Sequence, residues 1–139
     1  MDVDDVADEM SSVTDWAVSF WVKPNLNSFP EAEGEAVSVN TSSGGNTVLL
    51  GMKKIGGFPT VYDGANGATE IVGSTGASIS SWNQIVYSRS GSTGTLYLNG
   101  VSQGTHIPSY TFSSSNKWTL GGEYDNTTIT NEYLSLIHI

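Results

Sequence analysis

WNQIVYSRSGSTGTLYLNGVSQG, residues 82–104, reads as two β-hairpins in succession. Trp82 to Arg89 predicts a strand, Ser90-Gly91-Ser92-Thr93-Gly94 a turn, and Thr95 to Leu98 the returning strand. Asn99-Gly100 then favours a type I′ turn, because both residues tolerate positive φ, and Val101 to Thr105 leaves antiparallel to its predecessor. The stretch is a three-stranded meander.

The pattern continues on both sides. Upstream, Trp16-Ala17-Val18-Ser19-Phe20-Trp21-Val22 alternates strictly: Trp16, Val18, Phe20 and Val22 share one face, Ala17, Ser19 and Trp21 the other. Pro24 ends this strand. Residues 25–46, rich in Asn, Ser and Glu, predict a long loop or a ragged strand pair. Strands are expected at Thr47 to Met52, Phe58 to Tyr62 and Thr69 to Val72, with Asp63-Gly64 as a turn. Downstream, Ser113-Ser114-Ser115 is a polar loop and Lys117 to Gly121 a last clear strand. No apolar stripe at helical spacing exceeds two turns. The fold class is all-β, a sandwich or barrel.

The chain has 139 residues, one domain's worth. Charged residues are 14%, below the usual ~25%. Four Trp, six Tyr and four Phe exclude the aromatic-poor composition of a disordered chain. Net charge is −9, which argues against nucleic acid and against anionic membrane surfaces. Nine of the fourteen acids lie in residues 1–35. With no cysteine, disulfides and thiol chemistry are excluded. No apolar run approaches the ~18 residues of a membrane span, and Met1 to Met10 lacks a signal-peptide pattern. No membrane insertion is expected.

Three segments together resemble the laminin-G-like members of the concanavalin A-like lectin/glucanase superfamily. WAVSFWVKP at Trp16 to Pro24 is similar to the family's aromatic strand ending in W-V-K-P. Residues 82–104 are similar to its W-x-x-(V/I)…L-Y-(V/L)-N-G-x-x-x-G hairpin pair, and WTLGG at Trp118 to Gly122 to the (L/I)-x-(I/L)-G-G strand that follows. The resemblance covers residues ~16–125 and implies a two-sheet antiparallel jelly roll. Both ends depart from the family. Only Val3-Asp4-Asp5-Val6 echoes the tail of the expected first strand, and no G-x-I-D-E-like closing strand follows residue ~133. The last six residues, Leu134 to Ile139, resemble the translation of a transposase-type sequencing adapter. The expectation is a jelly-roll domain over 1–133, lacking its native terminal strands as in a fragment from shotgun assembly, and a non-native tail over 134–139.

Candidate chemistry is sparse. His106, before Ile107-Pro108, reads as a surface or loop histidine, which leaves no Ser–His–acid triad. Glu123-Tyr124-Asp125 is similar to the start of the E-x-D-x-(x)-E strand of glucanases, but residues 127 and 128 are both Thr, so the third carboxylate is absent. The resemblance allows one Ca²⁺, for which Glu123, Asp125 and Asp63 are the candidate donors. Carbohydrate binding would draw on aromatics near turns and their polar neighbours: Tyr124, Tyr62, Trp118 and Asn126, with Tyr110 a further candidate. Trp16, Phe20 and Trp82 read as core or sheet-packing residues, and Asp2, Asp4, Asp5 and Asp8 as a frayed, solvated end. The resemblance implies a non-catalytic recognition module for a glycan or surface polymer, carried with other domains in a larger secreted, cell-surface or virion protein such as a phage tail fibre. The alternatives are a structural spacer of such a fibre and a glucanase-like relic.

Overall fold

The structure, a computed structural model, describes residues 4–25, 33–125, 128–130 and 136–138. Two five-stranded antiparallel sheets face each other. The first has the order β5-β4-β3-β2-β9, built from β2 (Glu33–Asn40), β3 (Asn46–Lys53), β4 (Pro59–Asp63), β5 (Ala68–Val72) and β9 (Lys117–Leu120). The second has the order β12-β1-β6-β7-β8, built from β1 (Trp16–Lys23), β6 (Asn83–Ser90), β7 (Thr93–Leu98), β8 (Val101–His106) and β12 (Leu136–His138). Among the described residues a further antiparallel pair is formed by β10 (Glu123–Asp125) and β11 (Thr128–Thr130). This is the jelly-roll sandwich that the motifs imply.

Alternation works as expected in the second sheet. Phe20 and Val22 of β1 and Ile85 and Tyr87 of β6 are at most 1% exposed, while Ala17, Ser19 and Trp21 face out. The meander is present in full, and Asn99 and Gly100 take φ of 50° and 80°, as a type I′ turn requires. From the first sheet, Val37, Val39, Val48, Leu50, Met52, Val61 and Ile71 enter the same core. Each fully buried side chain of this size is worth about 1.5–3 kcal/mol, so the two inner faces hold the sandwich together.

Four expectations are corrected. Residues 33–40, read as part of a loop or ragged pair, form an interior strand between β3 and β9, bulged between Glu35 and Val37, with every residue from Gly34 to Asn40 buried. Its Glu, Gly and Asn content masked the short Val37/Val39 alternation. The acidic N-terminus is not wholly frayed: Asp4–Met10 is a helix, α1, whose Ala7 is 1% exposed and whose Met10 packs on the core. His106 lies on β8, and its Nε2 is 3.0 Å from the Tyr87 hydroxyl, which accepts a bond from the Tyr110 hydroxyl at 3.0 Å. Trp82 is 45% exposed rather than packed away.

The segment Leu136–His138, within the adapter-like hexapeptide, pairs antiparallel with β1 through Val22↔Ile137 and Lys23↔Leu136. It covers that edge of the second sheet.

Candidate functional site

The register of the first sheet places a set of polar side chains on its outer face. Across the ladder, Ser38 is opposite Leu49, Leu49 opposite Tyr62 and Tyr62 opposite Thr69. One row away, Glu35 is opposite Gly51 and Gly51 opposite Thr60. Glu35 reaches this face because of a bulge. Glu35 and Val37 have the same parity, so simple alternation would send both into the core. The register shift between them at Ala36 turns Glu35 outward while Val37 stays inward.

Apart from Ser38, these residues line a pocket of about 330 Å³ with Glu33, Glu35, Asn46, Leu49, Tyr62 and Glu123 on its walls and Gly51 on its floor. That volume lies in the range of small-ligand sites. Glu123 arrives from β10, which lies against β2 and β9. The Tyr124 N–H donates to Asn40 Oδ1 at 3.4 Å, and Glu123 itself is 4% exposed. Glu35 is 8% exposed. Glu33 pairs with Lys53 at the pocket's edge. The floor has to be glycine: a Cβ on Gly51 would stand 2.3 Å from the Gly34 carbonyl oxygen. The pocket thus presents three carboxyl groups against one ammonium, with hydroxyl and amide groups and one tyrosine ring beside them.

Of the residues singled out in the sequence, this pocket brings together Tyr62 and Glu123. Tyr124 is half-buried on β10 and is not among the lining residues. Asn126 lies outside the described residues, as does the side chain of Asp125. Trp118 is corrected: it is 7% exposed, opposite Val39, with its ring 5.2 Å from that of Phe112, so it offers no open face to a sugar. Tyr110 is likewise buried, at 3%. Asp63 is fully buried on the inner side of the same sheet, opposite Val48. Its Oδ1 accepts the Ala65 N–H at 3.0 Å, and its Oδ2 accepts the Ser109 N–H at 2.8 Å and the Ser109 hydroxyl at 3.0 Å. Asp63 anchors the segment after β8 and does not converge with Glu123 on the outer face. Among the described residues, no group of three or more His, Asp or Glu side chains is placed to hold a metal ion.

Glu33, Glu35, Asn46, Thr60 and Thr69 were not found from the sequence. Glu33 and Glu35 sat in a stretch read as loop. The only available signal was the E-G-E spacing itself, which places both on one face once residues 33–40 are taken as a strand.

Comparison with known proteins agrees with this architecture. The laminin G 3 family model, described as concanavalin A-like lectin/glucanases superfamily, matches residues 3–137. The chain belongs to that superfamily. No curated protein sequence matches it. Among solved structures, it is similar to the native heptameric SAP-like pentraxin from Limulus polyphemus: 21% identity, TM-score 0.65, covering 86% of this chain and 58% of that one. It is also similar to the CBM40 of the Ruminococcus gnavus IT-sialidase bound to α2,3-sialyllactose: 13% identity, TM-score 0.70, covering 95% and 78%. A third is domain 4 of AbnA, an extracellular GH43 arabinanase from Geobacillus stearothermophilus, in complex with arabinotriose: 17% identity, TM-score 0.62, covering 91% and 60%. At these identities the likeness is one of fold. No helix among the described residues is long and apolar enough to cross a membrane.

Proposed function

We propose that this chain is a non-catalytic carbohydrate-recognition module which holds an uncharged or amino-bearing sugar in the pocket on the outer face of the first sheet. One observation carries the reading: a cavity of about 330 Å³ whose walls combine the Tyr62 ring with Asn46, Thr60, Thr69 and buried Glu35 and Glu123. A ring beside hydrogen-bonding groups suits a ligand with an apolar CH face and a hydroxyl rim. Three carboxyl groups against one ammonium disfavour sialylated, sulfated or uronic sugars. Of the sugars named with the similar structures, arabinotriose is the uncharged kind and sialyllactose the anionic kind. The superfamily's glycan-binding members support the class of ligand. The module would serve within a larger secreted, cell-surface or virion protein, and a phage tail fibre is one such setting.

The test is a glycan array with the wild-type chain and Tyr62→Ala, in calcium and in a chelator. We expect hits among neutral or amino sugars that fall about tenfold or more in Tyr62→Ala, the loss typical of a central aromatic contact. Hits confined to anionic sugars, or hits indifferent to Tyr62, would refute the pocket. No hit at all would leave the structural spacer as the better account.

One observation favours a second reading. Glu35 and Glu123 line the same pocket, and glycoside hydrolysis uses paired carboxyl groups. Release of reducing sugar from a β-glucan, abolished by Glu123→Gln, would make the chain a hydrolase rather than a binding module.

A further inference from the structure

The outer face of the other sheet carries a second feature. Trp21 and Trp82 are 42% and 45% exposed. Trp21 is opposite Gln84 in the β1–β6 ladder, and Trp82 stands two residues before Gln84. Trp82 immediately precedes β6, and continuing the ladder by one residue sets it diagonally from Trp21, a relation within reach of aromatic side chains. The next row runs Ser19, Val86 and Tyr97. Gln84 Nε2 donates to Ser19 Oγ at 3.0 Å between the rows. The described charges of this face stand at its two ends: Lys23 closes β1, and Asp15, just before β1, accepts a bond from the Ser90 hydroxyl of β6 at 2.9 Å.

We infer that this face is a second binding surface, which lies against the surface of an uncharged, insoluble polysaccharide. The pocket on the first sheet is concave and takes a sugar unit. This face is a ladder of four strands, β1, β6, β7 and β8, about 15 Å across at ~4.8 Å per step. That breadth spans several neighbouring polymer chains rather than one sugar residue. The tryptophan rings supply apolar area for the CH faces of sugar rings, and the amide and hydroxyls between them supply hydrogen bonds without charge.

A partner bearing many charges of one sign finds, among the described side chains, only Lys23 and Asp15, one of each sign.

The test is a pull-down on microcrystalline cellulose, chitin, insoluble β-1,3-glucan and granular starch. It compares the wild-type chain, the double variant Trp21→Ala/Trp82→Ala, and Tyr62→Ala. We expect the wild type to be retained on at least one polymer. The double variant should lose about tenfold of that retention, with its circular dichroism unchanged. Tyr62→Ala should stay bound, which separates this face from the pocket. Val86→Lys, which keeps both rings and puts a charge on the face, should also release the chain and covers the case in which the double variant unfolds. Retention on none of the four polymers overturns the inference, as does a folded double variant that stays bound. A dimer in sedimentation that Val86→Lys dissociates overturns it too, by assigning the face to a second copy.

Discussion

Gly51 is where a single atom decides the pocket. Its missing Cβ lets β3 approach Gly34 and leaves open the floor between Glu35 and Tyr62. Gly51→Ala forces backbone apart rather than a flexible side-chain end. It should cost about 1–3 kcal/mol, read as a lower urea midpoint with an unchanged slope. His106 makes a second residue-scale prediction. Desolvation holds its imidazole below the ordinary 6.5, the nearby Asp63 and Glu70 charges opposing only in part. Between the folded value and 6.5 the unfolded chain binds a proton that the folded chain refuses, so stability rises with pH in that window. The thermal midpoint should fall as pH drops from 7.5 to 5.5, and the fall should be shallower in His106→Gln. An equal slope in the variant would exclude His106 as its source.

Elements show which parts of this chain speak locally. The β7–β8 turn does. Asn99 accepts the Gln84 N–H on its side-chain oxygen at 2.8 Å and adopts φ of 50°. Asn99→Ala loses that bond and a residue tolerant of the left-handed region, so roughly 1–2 kcal/mol should disappear from the folding free energy. Asn99→Gly, which keeps the conformation, should lose less. β1 speaks locally too, since its alternation alone separates Phe20 and Val22 from Ser19 and Trp21. β2 does not. Its composition resembles a loop, and besides the adjacent β3 its burial comes from neighbours distant in sequence, β9 and β10. The bulge at Ala36 then reverses the parity that any strand reading would have used for Glu35.

For the whole molecule the same distinction separates fold from site. The sandwich was legible because its hairpins and its strongest strand are short-range patterns, and because three motifs fall in the family's order. The pocket was not, because its walls come from β2, β3, β4, β5 and β10, elements that only register brings together. Turn proximity, the guide used for Trp118 and Tyr110, selected rings that the sandwich buries at the Trp16–Phe112–Trp118 and Tyr87–Tyr110 contacts. Tyr62 was found by the same guide and Glu123 as a carboxylate of the glucanase-like and calcium readings, and their meeting in one cavity gives the account its centre. That centre is tested most directly by titrating ¹⁵N-labelled protein with arabinotriose, cellotriose and chitotriose while following amide shifts. The account predicts that at least one sugar moves the amides of Glu35, Gly51, Thr60, Tyr62 and Glu123 together. Shifts confined to other parts of the chain, or none with any of the three, would contradict it.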